Sequence, residues 1–170
     1  SKSKPMLGPL TEALSPAGRE KRMFFTTSNA MKIDGIRKSI QEDFDRNKLS
    51  EDEYYFLVCS IMESADKVAN TTGVYGAFLK SFKDTASRKI DFVAHKPIVS
   101  QTQTSVNQKD ANLLIQTIEG DILYLDPPYN NRQYSSNYHV LNYICDPNSI
   151  SIKTKLDKNL NKEVESKTAL

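Results

Sequence analysis

One apolar run in the second half of the chain ends abruptly in an acid, two prolines and an aromatic residue: Asp121-Ile-Leu-Tyr-Leu-Asp126-Pro127-Pro128-Tyr129. Residues Ile122 to Leu125 are typical of a buried parallel strand. The prolines must end that strand, because proline cannot donate to a β-ladder and holds the preceding residue extended. Asp126 is therefore predicted to lie at the carboxyl end of a strand, where ligands bind in open α/β sheets.

These groups suit the binding of a planar heterocycle that carries an exocyclic amine. The Asp126 carboxylate and the Pro127 carbonyl could accept both amine hydrogens, and Tyr129 could stack on the ring once the base has left a duplex. Two such hydrogen bonds would localise the nitrogen lone pair and direct it at an electrophile. Catalysis would then depend on orientation and electrostatics, with direct transfer and no covalent enzyme intermediate. The alternative is that Asp126 is an acid that only starts a turn.

A known family shows the same pattern. The Asp126-Pro-Pro-Tyr129 motif, with Asn130-Asn-Arg-Gln-Tyr134 and Tyr138-His-Val-Leu141 after it, resembles motif IV and the following helix of DNA adenine-N6 methyltransferases of the Dam-like alpha group. Residues 25–37 and 65–80 are similar to the region between the cofactor and catalytic motifs of that group. The resemblance implies an α/β fold, here a partial Rossmann-like methyltransferase sheet with a helical insert.

The resemblance also implies an activity and its site residues. A methyl group would pass from S-adenosylmethionine to the amine of an adenine flipped out of duplex DNA, in a restriction–modification system. The catalytic residues would be Asp126, Pro127 and Tyr129, and the substrate would contact Pro128, Tyr129, Asn130 and Tyr134. Asp110 and Asp126 would contact the cofactor, and no metal is implied. An ordinary helix N-cap is the alternative for Asp110.

One part of the family pattern is absent. The group binds its cofactor with a Phe-x-Gly-x-Gly loop near the start, whereas only the isolated Gly8 and Gly18 precede residue 30 here. We therefore expect the S-adenosylmethionine site to be only partly encoded and the chain alone to be incomplete and inactive. A complementary chain would then supply the cofactor loop. The alternatives are a truncated, catalytically inactive remnant and a DNA-binding subunit.

Composition and charge limit the other classes. The hydrophobic fraction of 38% and the mean hydropathy of −0.53 are low for a compact domain, and the net charge of +2 is too small for a general polyanion binder. Phosphate contacts would come from local groups such as Arg19, Lys21 and Arg22, for which a solvated loop is the alternative. Two cysteines without metal or redox spacing, and no apolar run of membrane length, indicate a reducing, cytoplasmic setting.

The pattern divides the chain into four segments. Residues 1–22 are predicted to be a linker or loop, and residues 23–100 a mainly helical insert that could recognise the DNA target. Residues 101–145 would form half of the methyltransferase catalytic domain, and residues 146–170 a polar, disordered tail.

Within these segments the spacing predicts several helices. One should cover residues 28–45, with Ile33, Ile36 and Ile40 on its apolar face, and a second should begin at a Ser50–Glu53 capping box and end at residues 70–73. Others are expected over 75–82, from 106 to Gly120, and from Ser135 or Ser136 to Ile144, and residues 90–99 are β-like.

Three polar residues of the predicted insert and catalytic half have two interpretations each. Asn70 could contact substrate or end the second helix, and Tyr75 could line the base pocket or pack, with packing preferred. His139 could be an acid or base or a structural histidine, and the structural role is preferred because in-line methylation needs no histidine base.

Overall fold

The structure, a computed structural model, describes residues 3–94, 98–99, 101–127 and 134–150. The helices in this part are α1 (Pro9–Leu14), α2 (Thr27–Asp45), α3 (Glu51–Asp66), α4 (Asp84–Ser87), α5 (Ala111–Leu114) and α6 (Tyr134–Cys145), followed by a 3-10 turn at Pro147–Ser149. The chain divides into two units, Ser1–Lys96 with Ser136–Ile152 and Pro97–Ser135 with Lys153–Leu170.

The first unit has an apolar core built around α2. This helix packs against α1 and α3, and its buried face carries Ile33, Ile36 and Ile40, as its sequence spacing predicts. The side chains that are most completely buried around it come from three helices and three connecting segments: Leu10, Leu14, Phe25, Ile61, Tyr75, Ile90, Val140 and Ile144. The helical unit therefore has its own hydrophobic interior.

Two helices of this core begin at side-chain caps. The Thr26 hydroxyl accepts a hydrogen bond from the amide of Asn29, and α2 begins at Thr27. At α3 the Ser50 hydroxyl accepts from the Glu53 amide, while the Glu53 carboxylate accepts from the Ser50 amide. The predicted capping box is confirmed.

The chain after α3 differs from the prediction. The helix ends at Asp66 rather than at residues 70–73, and no helix forms over residues 75–82. The backbone groups that a helix would need have other partners: the Leu79 amide donates to the Asn70 carbonyl, and the Tyr75 amide donates to Asn137 of α6. Tertiary hydrogen bonds thus replace the helical ones in this segment.

Part of the predicted linker at residues 1–22 is also a helix. Helix α1 buries Leu10, Ala13 and Leu14, and Pro9 stands in its first turn, where a missing amide costs nothing. The Asp34 carboxylate of α2 accepts from the Leu10 amide at 3.0 Å, and from the Thr11 amide at 2.7 Å and hydroxyl at 2.6 Å. The prolines and glycines of this segment led to the loop prediction, which did not anticipate this long-range cap.

The predicted strands are not observed among the described residues. Ile122 and Tyr124 are 91% and 84% exposed, and residues 121–127 have no regular structure. The described part of the second unit holds no neighbouring strand that could pair with this backbone, and an unpaired run cannot form a ladder. At the start of residues 90–99, the Ile90 amide and carbonyl instead bind the side chains of Asn29 and Lys32.

The remaining differences concern shorter elements. The helix predicted from residue 106 to Gly120 is reduced to Ala111–Leu114. Ser135 and Ser136 lie inside α6 rather than capping it. Residues 146–150 form a turn capped by Asp146, whereas the predicted tail over 151–170 lies outside the described residues.

Candidate active site

The predicted catalytic residues follow the exposed apolar run. Asp126 and Pro127 are both exposed, and Pro128, Tyr129 and Asn130 lie outside the described residues. Tyr134 is the first residue of α6, and its side chain is not among those described. The described residues therefore do not include the stacking ring beside the amine acceptors, and the roles of all three stay predictions.

Asp110 is the N-cap of α5. Its Oδ1 accepts from the amides of Asn112 at 2.7 Å and Leu113 at 3.3 Å. This is the capping geometry that the sequence offered as the alternative to a cofactor contact. Because both bonds use Oδ1, the second carboxylate oxygen can still accept a hydrogen bond from a ligand.

The helix that follows the catalytic motif is held by an arginine from α2. The Arg37 guanidinium donates to the Cys145 carbonyl at 2.9 Å and to the Ile144 carbonyl at 3.1 Å, at the last turn of α6. It also donates to the Tyr54 hydroxyl of α3 at 2.6 Å and to the Gln41 carboxamide at 3.2 Å. Arg37 is only 5% exposed, so one buried cation joins three helices and caps the carbonyl end of α6.

The first turn of α6 is held from the other side by the Asn70 loop, residues 70–83. The Asn70 side chain is fully buried and donates to the carbonyls of Met23 and Leu79, both at 3.0 Å. Its Oδ1 accepts from the Lys83 amide at 3.1 Å. Asn70 does not cap the second helix, because α3 ends at Asp66. Its side chain instead clamps both ends of a loop, and a substrate contact stays a prediction.

Tyr75 is the buried residue of that loop. Its hydroxyl donates to the Asp66 carboxylate at 2.6 Å, and its amide donates to the Asn137 carbonyl of α6 at 2.8 Å. Burial, then the hydrogen bond with Asp66 and its charge, raises the pKa of Tyr75. With 1% of its surface exposed, Tyr75 has the packing role that the sequence analysis preferred.

An aromatic cluster lies beside this contact. The Phe24 ring is 5.1 Å from Phe78 and 5.6 Å from His139 between centroids, and His139 is 5.6 Å from Tyr143. His139 Nδ1 lies 3.2 Å from the Ser136 carbonyl, which requires a proton on that nitrogen. Burial lowers the pKa of His139 below its ordinary value, which favours the neutral ring. The structural interpretation of His139 agrees with these contacts.

Sequence reasoning missed the residues that hold α6. One signal for Arg37 was present: it is four residues after Ile33 and therefore lies on the apolar face of α2, where a charge needs partners. For Asn70 the sequence carries no comparable signal, because its partners at Met23 and Leu79 are distant or in irregular structure.

In the described part of the chain, no helix is long and apolar enough to cross a membrane. Those same residues contain no group of three or more histidine, cysteine or acidic side chains placed to hold a metal ion.

Comparison with known proteins identifies the class of the chain. A family model described as D12 class N6 adenine-specific DNA methyltransferase matches residues 10–169. The chain therefore belongs to this family of DNA methyltransferases, which confirms the resemblance and indicates the α/β class of fold. No solved structure matches the chain.

Curated relatives carry matching names. The chain is 48% identical over 124 residues to the type II methyltransferase M.NlaIII of Neisseria lactamica. The aligned region covers 73% of the chain and 37% of that relative. It is 46% identical over 144 residues to the type II methyltransferase M.CviAII of Paramecium bursaria Chlorella virus 1, covering 84% and 42%. The modification methylase LlaI of Lactococcus lactis subsp. lactis is 41% identical over 133 residues, covering 75% and 21%. The chain thus spans less than half the length of these relatives.

Proposed function

We propose that the protein containing this chain transfers a methyl group from S-adenosylmethionine to the exocyclic amine of an adenine flipped out of duplex DNA. The observation that carries the proposal is the Asp126-Pro-Pro-Tyr129 motif inside a family match that covers residues 10–169. The names of the type II relatives support a place in a restriction–modification system. Such an enzyme would act in the cytoplasm, where it meets the DNA it modifies.

In this proposal the chain's own groups orient the amine. S-adenosylmethionine, when bound, supplies an electrophilic methyl group. The Asp126 carboxylate and the Pro127 carbonyl accept the two amine hydrogens, which directs the nitrogen lone pair out of the ring system. Tyr129 stacks on the flipped base, and Pro128, Asn130 and Tyr134 complete its pocket. The surplus proton leaves to Asp126 or to water.

The cofactor would contact Asp110 and Asp126. Asp110 fits this role to the extent that its Oδ2 remains available while Oδ1 caps α5. The rest of the cofactor site would come from a part of the enzyme with the Phe-x-Gly-x-Gly loop, on the same polypeptide or on a complementary chain. Ile122 to Leu125 would become a strand there, because pairing would bury four side chains that are now exposed.

Substitutions at the motif test this proposal in the complete enzyme or a reconstituted pair. Asp126→Ala should abolish transfer of tritium-labelled methyl groups to unmethylated DNA, with a much smaller change in cofactor affinity. Tyr129→Ala should weaken binding of the flipped base by roughly 1–3 kcal/mol, and Tyr129→Phe, the matched control, should lose little. Near-native turnover of Asp126→Ala on duplex DNA would show that the catalytic assignment is wrong.

We also propose that the helical segment over residues 23–88 helps to recognise DNA. Its candidate phosphate ligands are Lys80 and Lys83 within the segment and Arg19 and Arg22 just before it. Arg19 and Lys80 are exposed and Arg22 is half-buried, whereas the Lys83 ammonium donates to the Thr71 carbonyl at 2.7 Å. Neutralising Arg19, Arg22, Lys80 and Lys83 should weaken binding to all duplexes and flatten its salt dependence. Neutralising Lys38 and Lys48, which already pair with Glu42 and Asp43, is the control. An unchanged salt slope in the first variant would assign this segment to scaffold.

A further inference from the structure

We infer that Arg37 and Asn70 are positioning residues for the methyl transfer reaction, because together they fix both ends of α6, the helix that directly follows the Asp-Pro-Pro-Tyr motif. The inference rests on the proposed function. It concerns how the helical unit holds the catalytic segment, and it assigns neither residue a contact with substrate or cofactor.

The last turn of α6 is fixed by Arg37. Its guanidinium satisfies the carbonyls of Ile144 and Cys145, which have no partner within the helix. The same group is tied to α3 through the Tyr54 hydroxyl and lies 5.3 Å from the centre of that ring. With so little of Arg37 exposed, the charge-assisted bonds are shielded from competing water.

The first turn of α6 is fixed by the Asn70 loop. Three side-chain bonds of Asn70 tie it to Met23, Leu79 and Lys83. Asn70 and Leu79, which also share a backbone hydrogen bond, precede and follow Tyr75 in the loop. The Tyr75 amide then bonds to Asn137, three residues after the start of α6. Asn70 thus acts on α6 through the loop rather than by touching it.

Chain connectivity passes this constraint to the catalytic motif. Tyr129 is five residues before Tyr134, and a chain of that length reaches at most roughly 18 Å. A helix fixed at two points therefore limits where the stacking ring can go. Since reacting groups must be held closely, a shift of about 1 Å can lower the rate by roughly a hundredfold.

The experiment compares Arg37→Lys and Asn70→Ser with Thr11→Val in the complete enzyme. Arg37→Lys keeps the charge but loses the forked donor geometry. Asn70→Ser removes the carboxamide nitrogen that donates to the Met23 and Leu79 carbonyls. Thr11→Val is the control. It removes a buried hydrogen bond of 2.6 Å from the Thr11 hydroxyl to Asp34, which joins α1 to α2 and does not involve α6. Each variant is assayed at a temperature where circular dichroism shows it folded, with tritium-labelled S-adenosylmethionine and unmethylated plasmid DNA as probes.

We expect kcat of Arg37→Lys and of Asn70→Ser to fall roughly ten- to a hundredfold, while KM for S-adenosylmethionine stays unchanged. The kcat of Thr11→Val should stay near that of the parent enzyme. The inference is overturned if kcat of Arg37→Lys and of Asn70→Ser falls no further than that of Thr11→Val. The two variants lie at opposite ends of α6, so one remains informative if the other fails to fold. An Asp126→Ala enzyme that keeps its turnover would overturn the proposed function itself, and this inference with it.

Discussion

Buried polar side chains connect segments of the helical unit that are distant in sequence. Asn29 donates to the Arg88 carbonyl and accepts from the Ile90 amide, which fixes the segment after α4 against the start of α2. Asp34, Arg37 and Asn70 make comparable links elsewhere. In the described part of the chain, every fully buried side-chain nitrogen or oxygen has a hydrogen-bond partner. Truncating one of these residues would leave buried groups without a hydrogen-bond partner, which should lower the free energy of unfolding by roughly 1–3 kcal/mol.

The lowered pKa of His139 predicts that the stability of the chain depends on pH. Burial, with a smaller contribution from the charge of Arg22, lowers the native pKa of His139 below the ordinary 6.5, and the Ser136 carbonyl opposes this shift. The unfolded chain therefore binds the proton more tightly, so stability should fall as the pH drops below about 6.5 and level off below the native pKa.

The measurement is the urea midpoint at about pH 8 and about pH 5 for the parent chain and for His139→Phe. Phenylalanine keeps an aromatic ring beside Phe24 and Tyr143, so it should remove part of the acid-induced loss. If the loss is the same in both proteins, the titration of His139 does not contribute to it.

At the scale of the elements, the capping box at α3 sets where that helix begins. Ser50→Ala removes the hydroxyl that accepts from the Glu53 amide, and this should lower the free energy of unfolding by about 1 kcal/mol. Ser28→Ala, at an exposed position within the first turn of α2, is the matched control and should change it little. Equal denaturation midpoints for Ser50→Ala and the parent chain would contradict the prediction.

Gly35 of α2 makes a close approach of the chain possible. A Cβ there would overlap the Lys4 carbonyl, at the segment whose Met6 amide bonds to Met31. In an exposed helix interior Gly→Ala usually gains up to about 1 kcal/mol.

Gly35→Ala is therefore expected to destabilise the chain or to release residues 3–6 from α2. Thermal unfolding measures the first effect, and hydrogen exchange at the Met6 amide measures the second. A rise in Tm with unchanged protection of that amide would show that the overlap is relieved without cost.

At the scale of the whole molecule, the two units differ in how much they bury. The helical unit has a closed core, whereas the run Ile122 to Leu125 in the second unit is exposed by between 57% and 91%. Exposed, contiguous apolar residues commonly mark a surface that another part of a protein covers. The relatives, of which the chain covers 37% and 42%, contain further sequence that is absent from these 170 residues.

Cofactor binding by this chain alone should accordingly be weak or absent. Asp126 is exposed and Asp110 is half-buried, so water competes for both carboxylates. Calorimetric titration of the purified chain with S-adenosylmethionine measures this. A tight isotherm would contradict the expectation, and its loss in Asp110→Ala would then locate the site.

The sequence determined what is local. Apolar spacing set the buried face of α2, and the Ser50–Glu53 pair set the start of α3 within the chain itself. The motif Asp126-Pro-Pro-Tyr129 identified the family without any tertiary information, because its chemistry depends on adjacent residues.

Only the tertiary structure decided the conformation of those segments in which local preference competes with distant hydrogen-bond partners. Residues 75–82 lack their predicted helix because Asn70 and Asn137 bind backbone groups of this segment, and residues 9–14 form a helix because Asp34, more than twenty residues away, caps it. Arg37 likewise reaches carbonyls 107 and 108 residues away. Such partners are adjacent in space and not in sequence, so periodicity and capping rules cannot predict them.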